Sequence, residues 1–535
     1  MKDAPPGYTE ALRQRFEREL RRNGNPVTRV LPVNFAMHNA YRGLPDSSNP
    51  GNYTALTPNR ITKSELNWFN DYHANVAYLQ GSERRKINCE AKLRTLQLLY
   101  YVQHDLGEKL WSVANDQGFD TPYNRTDNAC DNIPVEFKAI ERQLPPMPYV
   151  RESIRLIGEH TLTAGEIRRE GTPPVAVTDF PTSIAVNDYA DDLHGCNKES
   201  DLEGNLEHLS DRPPGFRGGR LQVPIESLIP ATTDGLLAAE KNISETRLAN
   251  GATRLQPSTM LVGQAVGTLA ALAIKQGVQP RQVDPVLVQR VLLQAGSSLS
   301  LHEYSDVARD SALWPAVEMV TTHRWMAGAS SSQFGVGAPI SRREAAIILA
   351  QRFGLYAGFN SYREPDRNHA TFRDVPLYDT ASIPVEALKA AGAVTGCTAD
   401  GARFCPDRPV TRAEFVTMLA RLLHLPATAR TKAVKYLDLS SSAPAYAEVN
   451  AAAQAGLLSA TVGRFRPDEP ITRAEVAALL YRTTGPPFEA QIASTRRRAE
   501  QIARSLHPRT QTTRSGHPGL PASAARPQQL QRIRG

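Results

Sequence analysis

Cysteine is scarce in this sequence, with five residues in 535. That number excludes a small disulfide-built scaffold, and no cysteines have the spacing that binds zinc or an iron–sulfur cluster, so we predict no metal. The first 24 residues are polar and charged and lack the apolar core of a signal peptide. Residues 258–274 are uncharged, but a bilayer span needs about 20 apolar residues, and we predict no transmembrane segment.

The glycine-rich dinucleotide fingerprint G-x-G-x-x-G is also missing. In that motif, glycines let the backbone approach a pyrophosphate, which then lies on a helix N-terminus. The nearest candidate, Gly335-Val-Gly337, precedes Ala-Pro and does not qualify. The sequence therefore predicts that a pyrophosphate cradle is lacking.

Positive charge is confined to the C-terminus. The net charge is +7, and residues 486–535 hold nine Arg against Glu489 and Glu500, so 9 − 2 = +7 and the other 485 residues sum to zero. A neutral body does not favour a nucleic-acid partner. Residues 486–535 are poor in large apolar side chains, so we predict a disordered basic tail, solvated or in contact with an acidic surface.

The most informative stretch is 219–277. The apolar run Leu236–Ala239 suits a buried strand, a polar loop follows, and Pro257 and Ser258 suit the start of a helix. Because this helix is uncharged to Ile274, we expect it to be buried nearly all round. Gly263 and Gly267 lie four apart on one face, which indicates a backbone or ligand close by.

The sequence LLAAEKNISETRLANGATRLQPSTMLVGQAVGTLAALA resembles the C-terminal signature of the FAD-dependent oxidoreductase family. Further similar blocks extend the resemblance over residues 60–285. It implies FAD as cofactor, although we expect weak or no binding because the cradle is missing. It implies cofactor contacts from Glu240, Lys241, Asn242, Asn250, Arg254, Gln256 and Pro257. The family usually has glycine where Glu240 stands, so this carboxylate either accepts from the flavin ribityl chain or hinders close approach.

Acid–base candidates in these blocks are His73 and His194, whose side chains titrate near neutral pH. Each is a lone histidine without an evident partner, and a structural role is the commoner one. No residue pattern identifies a catalytic group more firmly.

Three repeats follow residue 300. They open at Tyr304, Phe372 and Tyr436, each two residues before an aspartate, and each closes on a helix with a capping box, Ser341–Glu344, Thr411–Glu414 and Thr472–Glu475. Capping does not explain why Arg342, Arg412 and Arg473 stand at the first helical position, where a cation is disfavoured. An anion held between each guanidinium and free helix N–H groups would explain it.

The repeats resemble S-layer homology (SLH) domains, which hold proteins to acidic cell-wall polysaccharide. The resemblance implies that Arg342, Arg412 and Arg473 contact glycan. The first repeat departs from the pattern because Arg343 replaces alanine. In the middle repeat, Cys397 and Cys405 flank a turn-rich segment, and we predict that they form a disulfide. A disulfide implies an oxidising, extracytoplasmic location, and hence a leader missing from this sequence.

The predicted fold is α/β, an incomplete FAD-binding Rossmann-like domain with an α+β cap, followed by all-α SLH repeats. The predicted segments are a loop-rich remnant at 1–60, the oxidoreductase part at 61–299, repeats at 300–356, 370–425 and 434–485, and the tail at 486–535. The predicted function is an envelope-attached FAD-dependent oxidoreductase. The alternative is a non-catalytic wall-binding protein with a degenerate flavin domain.

Overall fold

The computed structural model describes residues 1–21, 72, 81–107, 109, 112–194, 198–212, 218–355, 370–376, 378–426, 434, 436–458 and 463–506. The chain divides into two compact units, Met1–Leu301 and His302–Gly535. The two units are described in turn.

Unit 1 begins with a helical part. Its helices are α1 (Glu10–Arg21), α2 (Gly81–His104), α3 (Pro122–Arg125) and α4 (Lys138–Glu141). Phe16 of α1 packs on Leu98, Tyr101 and Val102 of α2. A disulfide between Cys89 and Cys130, which the sequence reasoning missed, ties α2 to the loop after α3.

The rest of unit 1 is built on a small mixed sheet. Its strands are β1 (Arg169–Glu170), β2 (Val175–Ala176), β3 (Ser183–Asp188) and β4 (Arg220–Pro224), in the order β1-β2-β4-β3. Only β2 and β4 pair in parallel. The described residues therefore do not form the open parallel sheet that a Rossmann-like domain implies.

Four helices surround this sheet: α5 (Ala164–Ile167), α6 (Arg247–Thr253), α7 (Gln256–Gln276) and α8 (Pro285–Gln294). Helix α7 packs against β3 and α8. The predicted strand Leu236–Ala239 is irregular backbone instead, and Leu236 is half exposed.

The expectation that α7 is buried nearly all round is wrong. Its buried residues recur every three or four positions on one face, at Ser258, Val262, Ala265, Leu269 and Ala273. On the opposite face Met260 and Ile274 are 74% and 82% exposed. By length and mean hydropathy, 1.4 in its most apolar window, α7 would also qualify as a membrane span. A β-carbon at Gly263 would meet the Ala239 carbonyl at 3.7 Å, and at Gly267 it would meet open space.

Unit 2 contains the three repeats as helix pairs. These are α9 (Trp314–Thr322) with α10 (Arg342–Phe353), α11 (Ser382–Ala390) with α12 (Arg412–Leu422), and α13 (Tyr446–Gln454) with α14 (Arg473–Arg482). The second helix of each repeat packs on the first helix of the next, and α14 of the third repeat packs on α9 of the first. The repeats therefore close into a ring.

Backbone hydrogen bonds close the same ring. Val410 N–H donates to Ile340 C=O (3.0 Å), Ile471 donates to Val410 (3.0 Å), and Ile340 donates to Ile471 (3.2 Å). In each repeat the aspartate of the opening motif accepts N–H groups from the loop before the second helix, as Asp374 does from Phe404 (2.7 Å) and Cys405 (2.8 Å). This contact accounts for the recurring aspartate.

The prediction of a disordered tail is wrong over residues 486–506, which form helix α15 (Pro486–Leu506). Its buried residues Phe488, Ile492, Thr495 and Ala499 again recur every three or four positions, which gives the arginine-rich segment a packing face. The Thr495 hydroxyl donates to Leu422 C=O at the end of α12 (2.6 Å). Residues 507–535 lie outside the described residues.

Both disulfides can be tested by counting thiols. The Cα atoms of Cys89 and Cys130 lie 5.2 Å apart and those of Cys397 and Cys405 lie 6.1 Å apart, within the usual disulfide range. The fifth cysteine, Cys196, lies outside the described residues. Unreduced, unfolded protein should show one reactive thiol, and reduced protein five. Three thiols before reduction would leave a single bridge, and five would contradict both.

Candidate functional sites

The first candidate site in unit 1 centres on Asp192, in the loop after β3. His194 Nε2 lies 3.3 Å from one carboxylate oxygen. The Arg254 guanidinium, which follows α6, donates to the other oxygen (3.1 Å) and to the Asp192 carbonyl (2.8 Å), and the Tyr189 hydroxyl donates to the same oxygen (3.2 Å). The structure thus joins a predicted acid–base residue and a predicted cofactor residue through one carboxylate.

Charge at this site is concentrated and shielded from water. Burial alone would raise the pKa of Asp192, but the hydrogen bond from His194 and the charges of His194 and Arg254 lower it to about 2. Asp192 is therefore a carboxylate at neutral pH and can orient the imidazole of His194 for proton transfer. Its place two residues before His194 is the signal that sequence reasoning missed when it treated His194 as unpartnered.

The predicted cofactor residues are engaged mostly with the protein itself. Lys241 Nζ donates to Val150 C=O (3.0 Å) and lies over the Tyr149 ring. The Asn250 amide donates to Lys241 C=O (3.3 Å) and to Glu245 (2.7 Å). The Asn242 side chain accepts from the Glu240 N–H, and Glu240, Gln256 and Pro257 are exposed.

Behind them lies Glu245, a fully buried carboxyl that the sequence did not suggest. It accepts from Asn250 and from the Thr253 hydroxyl. Burial raises the pKa of Glu245 to about 7, and these two hydrogen bonds only moderate the effect. Glu207 is also buried, accepts from the Ala164 N–H and the Thr246 hydroxyl, and has a pKa raised by burial.

These residues do not form a complete FAD site. Lys241, Asn250 and Arg254 are held by protein partners, and the described residues include no glycine-rich turn between a parallel strand and a helix to receive a pyrophosphate. The start of α7, where no side chain caps the helix after Leu255, is the part best suited to an anionic group.

The second candidate site is the set of arginines at the helix starts of unit 2. Each guanidinium reaches the following repeat, with Nε donating to a phenylalanine carbonyl: Arg342 to Phe404 (2.8 Å), Arg412 to Phe465 (2.8 Å) and Arg473 to Phe334 (2.7 Å). Each guanidinium also lies 4.7–5.3 Å from the centre of that phenylalanine ring. The arginines therefore join neighbouring repeats.

The expectation of free N–H groups beside these arginines is wrong. The first N–H of each helix donates to the next repeat: Arg342 to Arg408 C=O (2.9 Å), Arg412 to Glu469 C=O (3.0 Å) and Arg473 to Ala338 C=O (2.9 Å). The capping boxes form as predicted and satisfy the N–H groups of the N3 glutamates. The glycan role of the three arginines stays a prediction.

The three guanidinium groups differ in which of their nitrogens are not bonded to described residues and could contact a ligand. Arg342 uses all of its nitrogens, on Phe404, on Glu414 (3.0 Å) and on Thr395 C=O (3.1 Å), and its side chain is 4% exposed. Arg412 is 15% exposed, pairs with Glu475 through Nη1, and has no hydrogen bond from Nη2 to any described residue. Arg412 is therefore the best placed of the three to meet a ligand.

The remaining predicted residues are placed as follows. His73 lies outside the described residues. Cys397 and Cys405 are joined beneath the loop of the middle repeat. Within the described part of the chain, no group of three or more His, Cys, Asp and Glu is placed to hold a metal ion.

Comparison with known families gives two matches. Residues 10–292, which are 283 of the 535, match the family model described as FAD dependent oxidoreductase. Residues 303–346 and 435–477 match the S-layer homology domain. The second pair of ranges falls on the first and third repeats. The combination of the two families predicted from the sequence is thereby confirmed.

Two curated proteins share shorter similarity. An endoglucanase of Bacillus sp. (strain KSM-635) is 35% identical over 120 residues, 22% of this chain and 12% of that protein. An amylopullulanase of Thermoanaerobacterium thermosulfurigenes is 30% identical over 148 residues, 28% of this chain and 7% of that protein. This chain thus spans about a tenth of the length of either relative.

The buried carboxyl of Glu245 generates a pH prediction. With its pKa raised from 4.5 to about 7, the folded state holds a proton there that the unfolded state releases, so stability falls as pH rises from about 4.5 to 7. We expect Glu245→Gln, which keeps the shape without the charge, to be more stable than wild type at pH 8, by at most about 3 kcal/mol, and equal to it at pH 4.5.

Urea unfolding followed by circular dichroism at both pH values measures this difference. Glu240→Gln, which changes an exposed carboxylate five residues upstream, is the matched control and should follow wild type. A Glu245→Gln variant with the wild-type pH dependence would show that this carboxyl does not titrate on unfolding.

Proposed function

The chain belongs to the FAD dependent oxidoreductase family, and from this premise we propose that it is an oxidoreductase-type protein attached to the cell envelope, with SLH repeats binding acidic wall polysaccharide. The observation that carries the proposal is the fusion itself. One polypeptide joins residues of a flavin-dependent family to a closed ring of three repeats. A domain that binds wall polymer keeps whatever precedes it in the chain at the cell surface.

Two disulfides support an extracytoplasmic location. One lies in each unit, and Cys130 of the first is fully buried. Disulfides persist where the environment is oxidising, as it is outside the cytoplasm. This agrees with wall attachment and requires that the protein be exported.

In the redox half, FAD would supply the electron transfer, and the protein would orient and tune it. The Asp192–His194 pair beside Arg254 is the part of this chain best arranged to move a proton next to a bound ligand. Asp192 fixes the imidazole, and the neighbouring N-terminus of α7 favours negative charge.

A weak flavin site is the first prediction from this proposal. Because the cofactor candidates are held by protein partners and no pyrophosphate cradle accompanies them, we expect the purified chain to be colourless. Absorbance in the flavin band near ~450 nm, whose chemistry belongs to the cofactor, measures bound FAD. A stoichiometric flavin spectrum that survives gel filtration would contradict the prediction. Fluorescence of added FAD, titrated with wild type and Arg254→Ala, would then locate the site.

Wall binding is the second prediction. The whole chain should co-sediment with purified wall polysaccharide, and binding should weaken as salt is raised. Arg412→Ala should reduce binding by about 10-fold, the value of one charge-assisted contact. The substitution also removes bonds to Phe465 and Glu475, so it is expected to lower stability rather than leave the fold unchanged.

Arg342→Ala is the matched control. It removes an arginine of the same kind whose nitrogens are all used within the protein, so it should cost more stability and less binding. Thermal unfolding by circular dichroism shows whether each variant is folded at the assay temperature. Equal loss of binding in both folded variants would mean that binding depends on an intact ring of repeats and that Arg412 does not contact glycan.

The alternative function is a non-catalytic wall-binding protein with a degenerate flavin domain. The internal engagement of Lys241, Asn250 and Arg254 favours it. Wall binding without any flavin binding, in the two assays above, would support this alternative over an oxidoreductase.

A further inference from the structure

A cleft of about 520 Å³ opens in unit 2 between the C-terminal ends of α11 and α12, the body of α13, and α15. It lies at the opposite end of α12 from Arg412. Because α12 has 11 residues at about 1.5 Å each, roughly 16 Å separates the cleft from the predicted glycan arginine. The cleft is thus a separate place on the ring.

The floor of the cleft is small and apolar, and its rim is charged. Arg421 of α12 pairs with Glu448 of α13 through Nε (3.0 Å) and Nη2 (2.8 Å). The other two rim groups are His424, just after α12, and Arg498 of α15. Neither makes a side-chain hydrogen bond or ion pair with the described residues. Apolar residues complete the lining of the cleft: Ala390, Ala391, Gly392, Ala420, Leu425, Ala447 and Ala451.

His424 has an unusual backbone. Its φ is +48°, in the left-handed region that glycine adopts without cost and other residues adopt under strain. At the corresponding end of α10 the first repeat has Gly354, with φ +62°. Histidine in place of glycine at this left-handed position puts an imidazole at the cleft.

The same comparison shows why the end of α10 is filled while a cleft opens at the end of α12. Helix α15 crosses the ends of both α10 and α12. At α10, Arg496 donates to Phe353 C=O (3.2 Å), and its Nε would lie 2.5 Å from a β-carbon placed on Gly354, so that end is filled. At α12, Thr495 holds α15 to Leu422, and the space beyond stays open beneath Arg498.

We propose that this cleft binds a sugar-sized anion, with Arg498 and His424 contacting its carboxylate or phosphate group and the alanine floor packing against its ring. The volume is in the range of small-molecule sites, about 300–1,000 Å³. With Arg421 neutralised by Glu448, the positive charge of Arg498 remains for the ligand. The inference does not depend on the proposed function, since it uses a different part of the ring.

Isothermal titration of the whole chain with glucuronate, glucose 6-phosphate, inorganic phosphate and glucose tests the proposal. The two sugar anions should bind, and which of them binds more tightly identifies the acidic group. Glucose should not bind. Inorganic phosphate binding as tightly as the sugar anions would overturn the assignment of a sugar-sized ligand, as would binding of glucose.

Three variants separate the ligand role from a structural one. Arg498→Ala should weaken binding by about 10-fold. Arg497→Ala, its exposed neighbour outside the cleft, is the matched control and should change nothing. His424→Gly should weaken binding while raising or preserving Tm, because glycine relieves the left-handed backbone. Unchanged binding in both Arg498→Ala and His424→Gly would overturn the proposal, and so would the absence of binding by wild type.

Discussion

The closed ring of unit 2 depends on three backbone hydrogen bonds that link Ile340, Val410 and Ile471 in a cycle. Each of these residues donates to the repeat before it, so no repeat can satisfy this contact alone. The three arginines lie directly beside the ring and extend it, each donating to the carbonyl of a phenylalanine in the next repeat. An arginine at a helix start is therefore first a link between repeats. A ligand can contact only those guanidinium nitrogens that are not already bonded to a neighbouring repeat, and these differ from one arginine to the next.

Unit 1 is organised differently, around buried polar contacts. Asp192 accepts from Arg254, 62 residues later in the chain, whereas Glu245 accepts from Asn250 and Thr253 of the helix that follows it. The two carboxyls have opposite pKa shifts. Asp192 stays charged because cationic partners outweigh its burial, whereas Glu245 has only neutral donors and favours its protonated form. Asn250 donates to Glu245 and Arg254 donates to Asp192, so each of these two predicted cofactor residues is held by a different carboxyl.

Features that depend on a few neighbouring residues could be predicted from the sequence. The capping boxes at Ser341, Thr411 and Thr472 were predicted and are formed, because a cap needs only four consecutive residues. The repeats were found for the same reason. By contrast, the contact between Asp192 and Arg254, the Cys89–Cys130 pair and the carbonyl partners of the arginines depend on how distant segments pack.

The two wrong expectations, for α7 and for α15, both concern which face of a helix is packed. Helix α7 has an uncharged sequence on every face, and composition alone could not show that packing on β3 and α8 would cover one face only. In α15 the arginines dominate the composition, yet Phe488, Ile492 and Ala499 recur at helical spacing. That periodicity was present in the sequence, and it predicts a packed helix despite the high charge of the segment.

The cyclic order of the repeats has a consequence for how the protein is made. Helix α9 packs on α14, and the Phe334 carbonyl accepts a hydrogen bond from Arg473, which lies 139 residues later in the chain. In an open solenoid each new repeat can add to the last as it is synthesised. Here the first repeat has no native partner for its outer face until the third has been made. Closure of the ring is therefore a late, long-range step in the folding of unit 2, and such steps are slow.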